Sequence, residues 1–325
     1  MSTIERPQSK LAAGVSAFTG EWRIELAMLA ALFLLCVVLS ILAPRFLTFG
    51  NIGNLFWQAT TVGIIAIGQT FVILTAGIDL SVGGLAAISA MLGGIFLMHQ
   101  GMGIGVTAIL LTGVAAGLVN GFLVAYTQLA PFIVTLGMMS ISRSLTYVST
   151  NGHSLTGLPA AYRFFGAAEV FGIQFYTIVF VGLFIVGQVV LTKTKLGRFW
   201  YAIGSNEEAA RLAGVSIRLY KSLAYVISGF LCAVGALILT SRLGAVDPDT
   251  GVGLELETIA AVVIGGTSLA GGKGSLVGTF IGVFLITVLH NGLNLIGVSP
   301  FWQGSAVGAV IIVSVVLDRL LRRRR

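Results

Sequence analysis

Apolar runs close to twenty residues long follow one another along almost the whole chain, parted by short stretches rich in Gly, Pro and charge. Runs of that length match the thickness of a bilayer better than the core of a soluble domain. They predict ten helical spans, at 26–43, 54–76, 82–98, 104–126, 131–149, 173–192, 219–240, 257–270, 275–294 and 301–319. The eighth is short, and the second and third nearly touch. Both places carry Gly and acidic residues, so broken helices are expected there. The fifth begins at Pro131, whose missing N–H costs nothing in a first turn, and it carries Arg143. The expected fold is all-α, a polytopic membrane helix bundle of about ten transmembrane helices. Residues 1–25 form an N-terminal tail, 26–321 a single transmembrane domain and 322–325 a basic C-terminus.

One segment breaks the pattern. "GSNEEAARLAGVS", Gly204 to Ser216, is polar and lies between two apolar runs, in a loop of about 193–218. Ser205 and Glu208 have the spacing of a capping box, and Gly214 suits the left-handed position that ends a helix. A helix of about eight residues, roughly 12 Å long, is expected between them. It is too short to cross a bilayer or to be stable alone in water, so it must dock on something. Glu207 and Arg211 are spaced as an i,i+4 pair, and Ala209, Leu212 and Ala213 form a small apolar face.

Charge sets the orientation. With both ends on the cytoplasmic side, fifteen of the nineteen Lys and Arg residues fall on that side. Arg45, Arg163 and Arg242 fall on the other, and Arg143 within a span, where snorkelling would explain it. The net charge of +7 and pI near 9.7 raise the question of nucleic acid. The asymmetry explains both without it, and the terminal RRRR reads as an anchor on anionic lipid. A hydrophobic fraction of 56%, a charged fraction of 10% and a mean hydropathy of +0.99 exclude a soluble domain. No small-residue cleavage site follows the first apolar run. Cys36 and Cys232 stand alone in apolar runs, without metal or disulfide spacing.

A faint internal echo pairs "GIDLSVGGLAAI", Gly77 to Ile88, with "GLELETIAAVVI", Gly253 to Ile264. Asp79 then matches Glu255 and Leu80 matches Leu256. The two copies fall at opposite membrane faces, as an inverted repeat would place them.

The chain carries little that could drive transport by itself. "GGTSLAGGKGS", Gly265 to Ser275, is the nearest thing to a phosphate loop. Thr267 stands where that pattern needs its first Gly, and Gly274 follows Lys273 instead of Ser or Thr. The stretch also joins two spans, so it reads as a tight turn. His99, His153 and His290 are scattered, and neither HExxH nor GxSxG occurs, which argues against an enzyme. His290 is expected to hydrogen-bond between helices. An ion-coupled carrier would hold several buried carboxylates, whereas only Asp79, Glu255 and Glu257 come near the membrane. Gly117-x-x-x-Gly121 and Gly278-x-x-x-Gly282 predict close helix approach. The picture is a conduit with no engine of its own and a cytoplasmic handle for one supplied in trans.

"EAARLAG", Glu208 to Gly214, resembles the Glu-Ala-Ala signature of ABC importer permeases. "TAGIDLSVG" (Thr75 to Gly83), "NGFLVAYTQLAPFIVTLGMMSISR" (Asn120 to Arg143), "ETIAAVVIGGTSLAGGKGS" (Glu257 to Ser275) and "LHNGLNLIGVSPFWQ" (Leu289 to Gln303) resemble the sugar branch of that family. The likeness covers nearly everything after the first 25 residues and is nearest to permeases of ribose-type monosaccharide importers. One departure is that "SIRLYKS" lacks the Pro of the longer signature.

The resemblance implies a pore subunit in the bacterial inner membrane, in a homodimeric or heterodimeric pore, with a second copy of this chain as the expected partner. It implies a cytoplasmic ATP-binding subunit and a periplasmic sugar-binding protein, with ATP used by the partner and no cofactor here. Ser205, Asn206, Glu207, Glu208, Ala209, Ala210, Arg211, Leu212, Ala213 and Gly214 would then form the helix that couples to the ATPase. Candidate pathway residues are Asp79, Ser81, Asn120, Thr135, Glu255, Thr258 and Asn291. Asp79 could equally cap the third span through the N–H of Ser81 or Val82. A permease for branched-chain amino acids or nucleosides, or an ion-coupled sugar symporter, stands as the alternative.

Overall fold

The computed structural model describes residues 23–309 and 312. Residues 1–22 of the N-terminal tail, nine residues of the tenth expected span (310, 311 and 313–319) and the basic C-terminus lie outside the described residues. The elements run α1 (Arg23–Leu42), α2 (Phe49–Leu74), α3 (Val82–Gln100), α4 (Met102–Ala125) and α5 (Pro131–Ser149). A loop segment follows with β1 (Leu155–Thr156), a short 3-10 turn, α6 (Phe164–Ala167), β2 (Glu169–Val170) and β3 (Ile173–Gln174). Then come α7 (Phe175–Lys193), α8 (Lys195–Ser205), α9 (Glu207–Leu212), α10 (Ile217–Leu243), β4 (Ala245–Val246), α11 (Leu254–Ile264) and α12 (Leu276–Leu295).

Seven of these, α1, α2, α3, α4, α7, α10 and α12, are long and apolar enough to cross a membrane. The protein is an all-α membrane bundle; the strands among the described residues are two residues long, in two antiparallel pairs, β1 with β4 and β2 with β3. α5 has 19 residues but is more polar, and it buries Thr135, Ser142 and Thr146 along one face. The eighth expected span, 257–270, is corrected. α11 runs only from Leu254 to Ile264, about 16 Å at 1.5 Å per residue, half of what crossing needs. A turn at Gly265 and Gly266 ends it, with Gly266 at φ 81°.

The bundle is centred on α2 and α10. The most apolar stretch of α2 is 89% buried, against 11% for α1 and 22% for α4 and α7. In lipid no hydrophobic drive holds helix to helix, so close backbone approach must supply the attraction. The Gly-x-x-x-Gly pairs do this. A Cβ on Gly117 would stand 2.5 Å from the Tyr225 carbonyl oxygen of α10, and one on Gly282 would collide with the Ala261 carbonyl of α11.

Long-range contacts sort the loops into two ends. At one end the Gly272 N–H donates to the Leu74 carbonyl at 3.0 Å, Ser205 lies beside Gly272, and Ser275 donates to Glu25 at 3.1 Å. At the other, β1 pairs with β4, and Arg242 reaches Asn54 at 3.1 Å. The described Lys and Arg residues crowd the first end: Lys193, Lys195, Arg198, Arg211, Arg218, Lys221 and Lys273. The sequence echo is weaker in three dimensions. Residues 77–81 carry no helix, whereas the matching segment is helical from Leu254 onward. The two nonetheless meet, since the Gly251 carbonyl and the Glu255 carboxylate crowd the Cα of Gly83.

Candidate functional site

α9 sits at the basic end on a platform made by α8. The platform is fixed by Trp200, which stacks on Phe71 with centroids 4.8 Å apart and donates its indole N–H to the Tyr220 carbonyl at 2.8 Å. Gly204 lets α8 lie directly against the end of α2, because a Cβ there would collide with the Leu74 carbonyl. The chain then turns sharply at Asn206, which has φ −161° and ψ 102°.

This moves the expected cap by one residue. Ser205 is the last residue of α8, so its backbone is helical and unavailable for capping α9. Asn206 caps instead, accepting the Ala209 N–H at 2.9 Å. Glu208 does not reach back to the cap. Arg211 takes it in a forked pair with Nε at 2.9 Å, and this holds the exposed Glu208 carboxyl below the usual carboxylate range. The expected Glu207–Arg211 pair is likewise replaced, for Glu207 accepts Lys221 of α10 at 2.5 Å. Gly214 ends the helix as expected, at φ 82°. Its N–H donates to the Arg211 carbonyl and that of Val215 to the Ala210 carbonyl, each at 3.0 Å, a Schellman closure. Ala210 is buried as the anchor, while Ala209, Leu212 and Ala213 are exposed. Leu212 is 76% exposed, an apolar side chain in solvent. A groove of about 910 Å³ runs along the Glu207 and Arg211 side of α9, between it, the start of α10 and the 126–131 turn.

The expected pathway residues do not converge on one site. Asp79, Ser81, Asn120 and Thr135 are fully buried. One Asp79 oxygen accepts the Ser81 N–H at 2.9 Å and its hydroxyl at 2.5 Å, and the other accepts the Ser228 hydroxyl of α10 at 3.1 Å. Asn120 of α4 donates to Ser81 at 2.8 Å, and Thr135 of α5 to the Ile78 carbonyl at 3.3 Å. The cluster ties the break between α2 and α3 to three helices. Asp79 takes the Ser81 N–H, as a capping role would require. Ser81 is however the residue that precedes α3, so the carboxylate braces the turn ahead of the helix. Thr258 bonds within its own helix, to the Leu254 carbonyl at 2.7 Å. Asn291 and Asn51 exchange amide hydrogen bonds at 2.8 and 2.9 Å, joining α12 to α2.

Glu255 lines a cavity of about 390 Å³ with Arg143 and Tyr147 of α5. Arg143 reaches the loop that follows β4. Its Nη1 donates to the carbonyls of Pro248 at 3.0 Å and Thr250 at 2.9 Å. A second cavity, of about 350 Å³, lies between α2, α11 and α12. Its polar wall holds Trp57, Gln58, Thr61, Glu257, His290 and Asn294, most of which sequence reasoning missed. The signal was present: Thr287, His290 and Asn294 share one face of α12, at i, i+3 and i+7. The interhelical hydrogen bond expected of His290 is not made: its Nδ1 faces Glu257 of α11 at 3.6 Å, beyond hydrogen-bond reach.

The Gly265 to Ser275 stretch is a chain of turns between α11 and α12, without the strand a phosphate loop follows. Lys273 is exposed there, and its carbonyl accepts the Ser268 N–H at 2.9 Å. Lys273→Ala is expected to leave solute transport within about twofold of wild type, as surface changes usually do. The purified chain is expected to bind no ATP at micromolar concentration, measured by equilibrium dialysis. Saturable binding lost in Lys273→Ala would mark the turn as a nucleotide site.

A profile of the family described as "Branched-chain amino acid transport system / permease component" matches residues 51–315. The ribose import permease protein of Bacillus subtilis is 45% identical over 291 residues, 89% of this chain and 90% of its own length. The D-allose transport system permease protein of Escherichia coli is 37% identical over 298 residues, covering 90% and 91% of the two chains. The fructose import permease protein of Rhizobium meliloti is 37% identical over 310 residues, covering 90% and 86%. No solved structure matches the chain.

Proposed function

This chain belongs to the permease-component family of branched-chain amino acid transport systems, and from that premise we propose that it is the pore subunit of an ATP-driven monosaccharide importer. The observation that carries the reading is α9. A helix of six residues survives only because Asn206, Gly214 and Lys221 hold it, and it presents Leu212 to solvent. A cytoplasmic ATP-binding subunit seats on that face, and its closure is passed through α8 and Gly204 to the end of α2. The relatives named for ribose, allose and fructose support a sugar as the solute. The family description keeps branched-chain amino acids as the second reading.

In this reading the subunit has about ten membrane helices, of which α11 enters without crossing, arranged as an inverted repeat; it pairs with a second copy and receives sugar from a periplasmic binding protein. It lies in a bacterial inner membrane with both termini cytoplasmic. Its test is uptake into proteoliposomes that hold the permease with its partner ATPase and binding protein. Sugar uptake is expected to require ATP inside and to ignore sodium and proton gradients. Uptake by the permease alone, driven by a gradient, would make it a symporter. ATP-driven uptake of leucine and not of sugar would select the second reading.

Orientation has its own check. In a cysteine-free background, Asn151→Cys is expected to react with an impermeant thiol reagent on intact cells, and Leu212→Cys only after lysis. The reverse labelling would place α9 outside and end the docking argument.

A further inference from the structure

The cavity between α2, α11 and α12 opens beside Val252, which is 64% exposed, at the end of the bundle opposite α9. Three of its polar atoms are buried and have no hydrogen-bond partner among the described residues: Trp57 Nε1, Thr61 Oγ1 and His290 Nε2. Trp57 and Thr61 lie one turn apart on α2, so both project from the same face. His290 turns Nδ1 toward Glu257, which leaves Nε2 unpaired. Buried polar atoms are nearly always bonded, and three orphans around one hollow call for a ligand with matching donors and acceptors.

The chemistry of the wall narrows the class. An indole N–H donates, a carboxylate accepts, and a hydroxyl and an imidazole do either. Val62, Leu239 and Ile286 supply an apolar side. Glu257 is the one acidic side chain on the polar wall, and its carboxyl oxygens can accept from hydroxyls. Among the described residues no group of three His, Cys, Asp or Glu could hold a metal. An amino acid would need separate partners for an ammonium and a carboxylate. A compact, neutral, many-hydroxyl ring needs what is present, and about 350 Å³ admits one small ring rather than a chain of them.

We propose that this cavity is a subsite for one neutral monosaccharide, occupied between its release from the binding protein and its passage through the pore. The assignment rests on the sugar-import reading and gives the permease its own share in selecting the solute. Thr61, His290 and Glu257 hold the hydroxyls, and Trp57 donates from the side.

The test uses the assembled permease–ATPase complex in lipid nanodiscs, with a reporter thiol at Val252→Cys in a background lacking Cys36 and Cys232. D-ribose, D-allose and D-fructose, each up to 100 mM on the order of weak subsite affinities, are tried as protectants against a small thiol reagent, with L-leucine as control. At least one sugar is expected to slow labelling while leucine does not. Thr61→Val keeps the shape and removes the hydroxyl, and it is expected to raise the protecting concentration about tenfold. No protection by any sugar, in a complex that still imports sugar with its binding protein, overturns the subsite and leaves the import reading standing. Protection by leucine alone, with leucine as the imported solute, overturns both. Unchanged protection in Thr61→Val overturns the assigned polar set.

Discussion

Gly214→Val is expected to abolish coupling while leaving the membrane domain intact. Gly214 holds φ 82°, where a β-branched residue is strained by about 1–3 kcal/mol. The two hydrogen bonds that close α9 depend on that turn. Six residues have no reserve of stability, so the docking-competent population falls by roughly 5- to 150-fold. Sugar-stimulated ATP hydrolysis in the reconstituted complex should fall with it. Asn206→Ala removes the cap and costs about 1 kcal/mol, a smaller loss in the same direction. Leu212→Asp puts a charge on the exposed apolar face and should prevent the ATPase from co-purifying. All three permeases should insert, and all should elute as the wild-type species before the ATPase is added. Full coupling in Gly214→Val and Leu212→Asp together would show that the partner seats elsewhere. Failure of insertion in all three would make α9 a folding element.

The other large effect is expected at Asp79. Its carboxylate is fully buried and satisfied only by Ser81 and Ser228, with no ion-pairing cation among the described residues. It stands just ahead of the N-terminus of α3, where backbone N–H groups favour negative charge. Asp79→Ala strands two hydroxyls and one N–H at about 1–3 kcal/mol for each buried unsatisfied group. It also loosens the turn that Asn120 and Thr135 brace from α4 and α5. The variant should aggregate or unfold well below wild type in detergent, followed by fluorescence-detected size exclusion over a temperature ramp. Asp79→Asn keeps an acceptor and most of the geometry, and should restore folded protein and most transport. Wild-type thermal behaviour of the Ala variant would refute the brace. Loss of transport in both, with normal folding, would return Asp79 to the pathway.

Much of this architecture is a local property and was legible without coordinates. An apolar run of twenty residues can only be a membrane helix, because each buried backbone group must bond within its own segment. The described long helices therefore lie within about five residues of the expected spans, apart from the eighth span, while α6 and α8 were not foreseen. Gly214 could be assigned because a left-handed helix end follows from one residue's lack of a Cβ. The Gly-x-x-x-Gly pairs identified the close contacts for the same reason.

Tertiary structure decided what depends on groups far apart in the chain. α11 stops at Ile264 because the chain turns at Gly265 and Gly266 to pack on Gly278, a choice that hydropathy cannot see. Ser205 and Asn206 are both good caps, and only the docking of Gly204 against Leu74 carries α8 through Ser205 and hands the role to Asn206. Glu207 chose Lys221 over Arg211 because α10 folds back beside α9. The cavity of Trp57, Thr61, Glu257 and His290 draws on three helices. Each of those residues alone reads as an isolated polar position in an apolar run, and only packing reveals that their unpaired atoms surround one space.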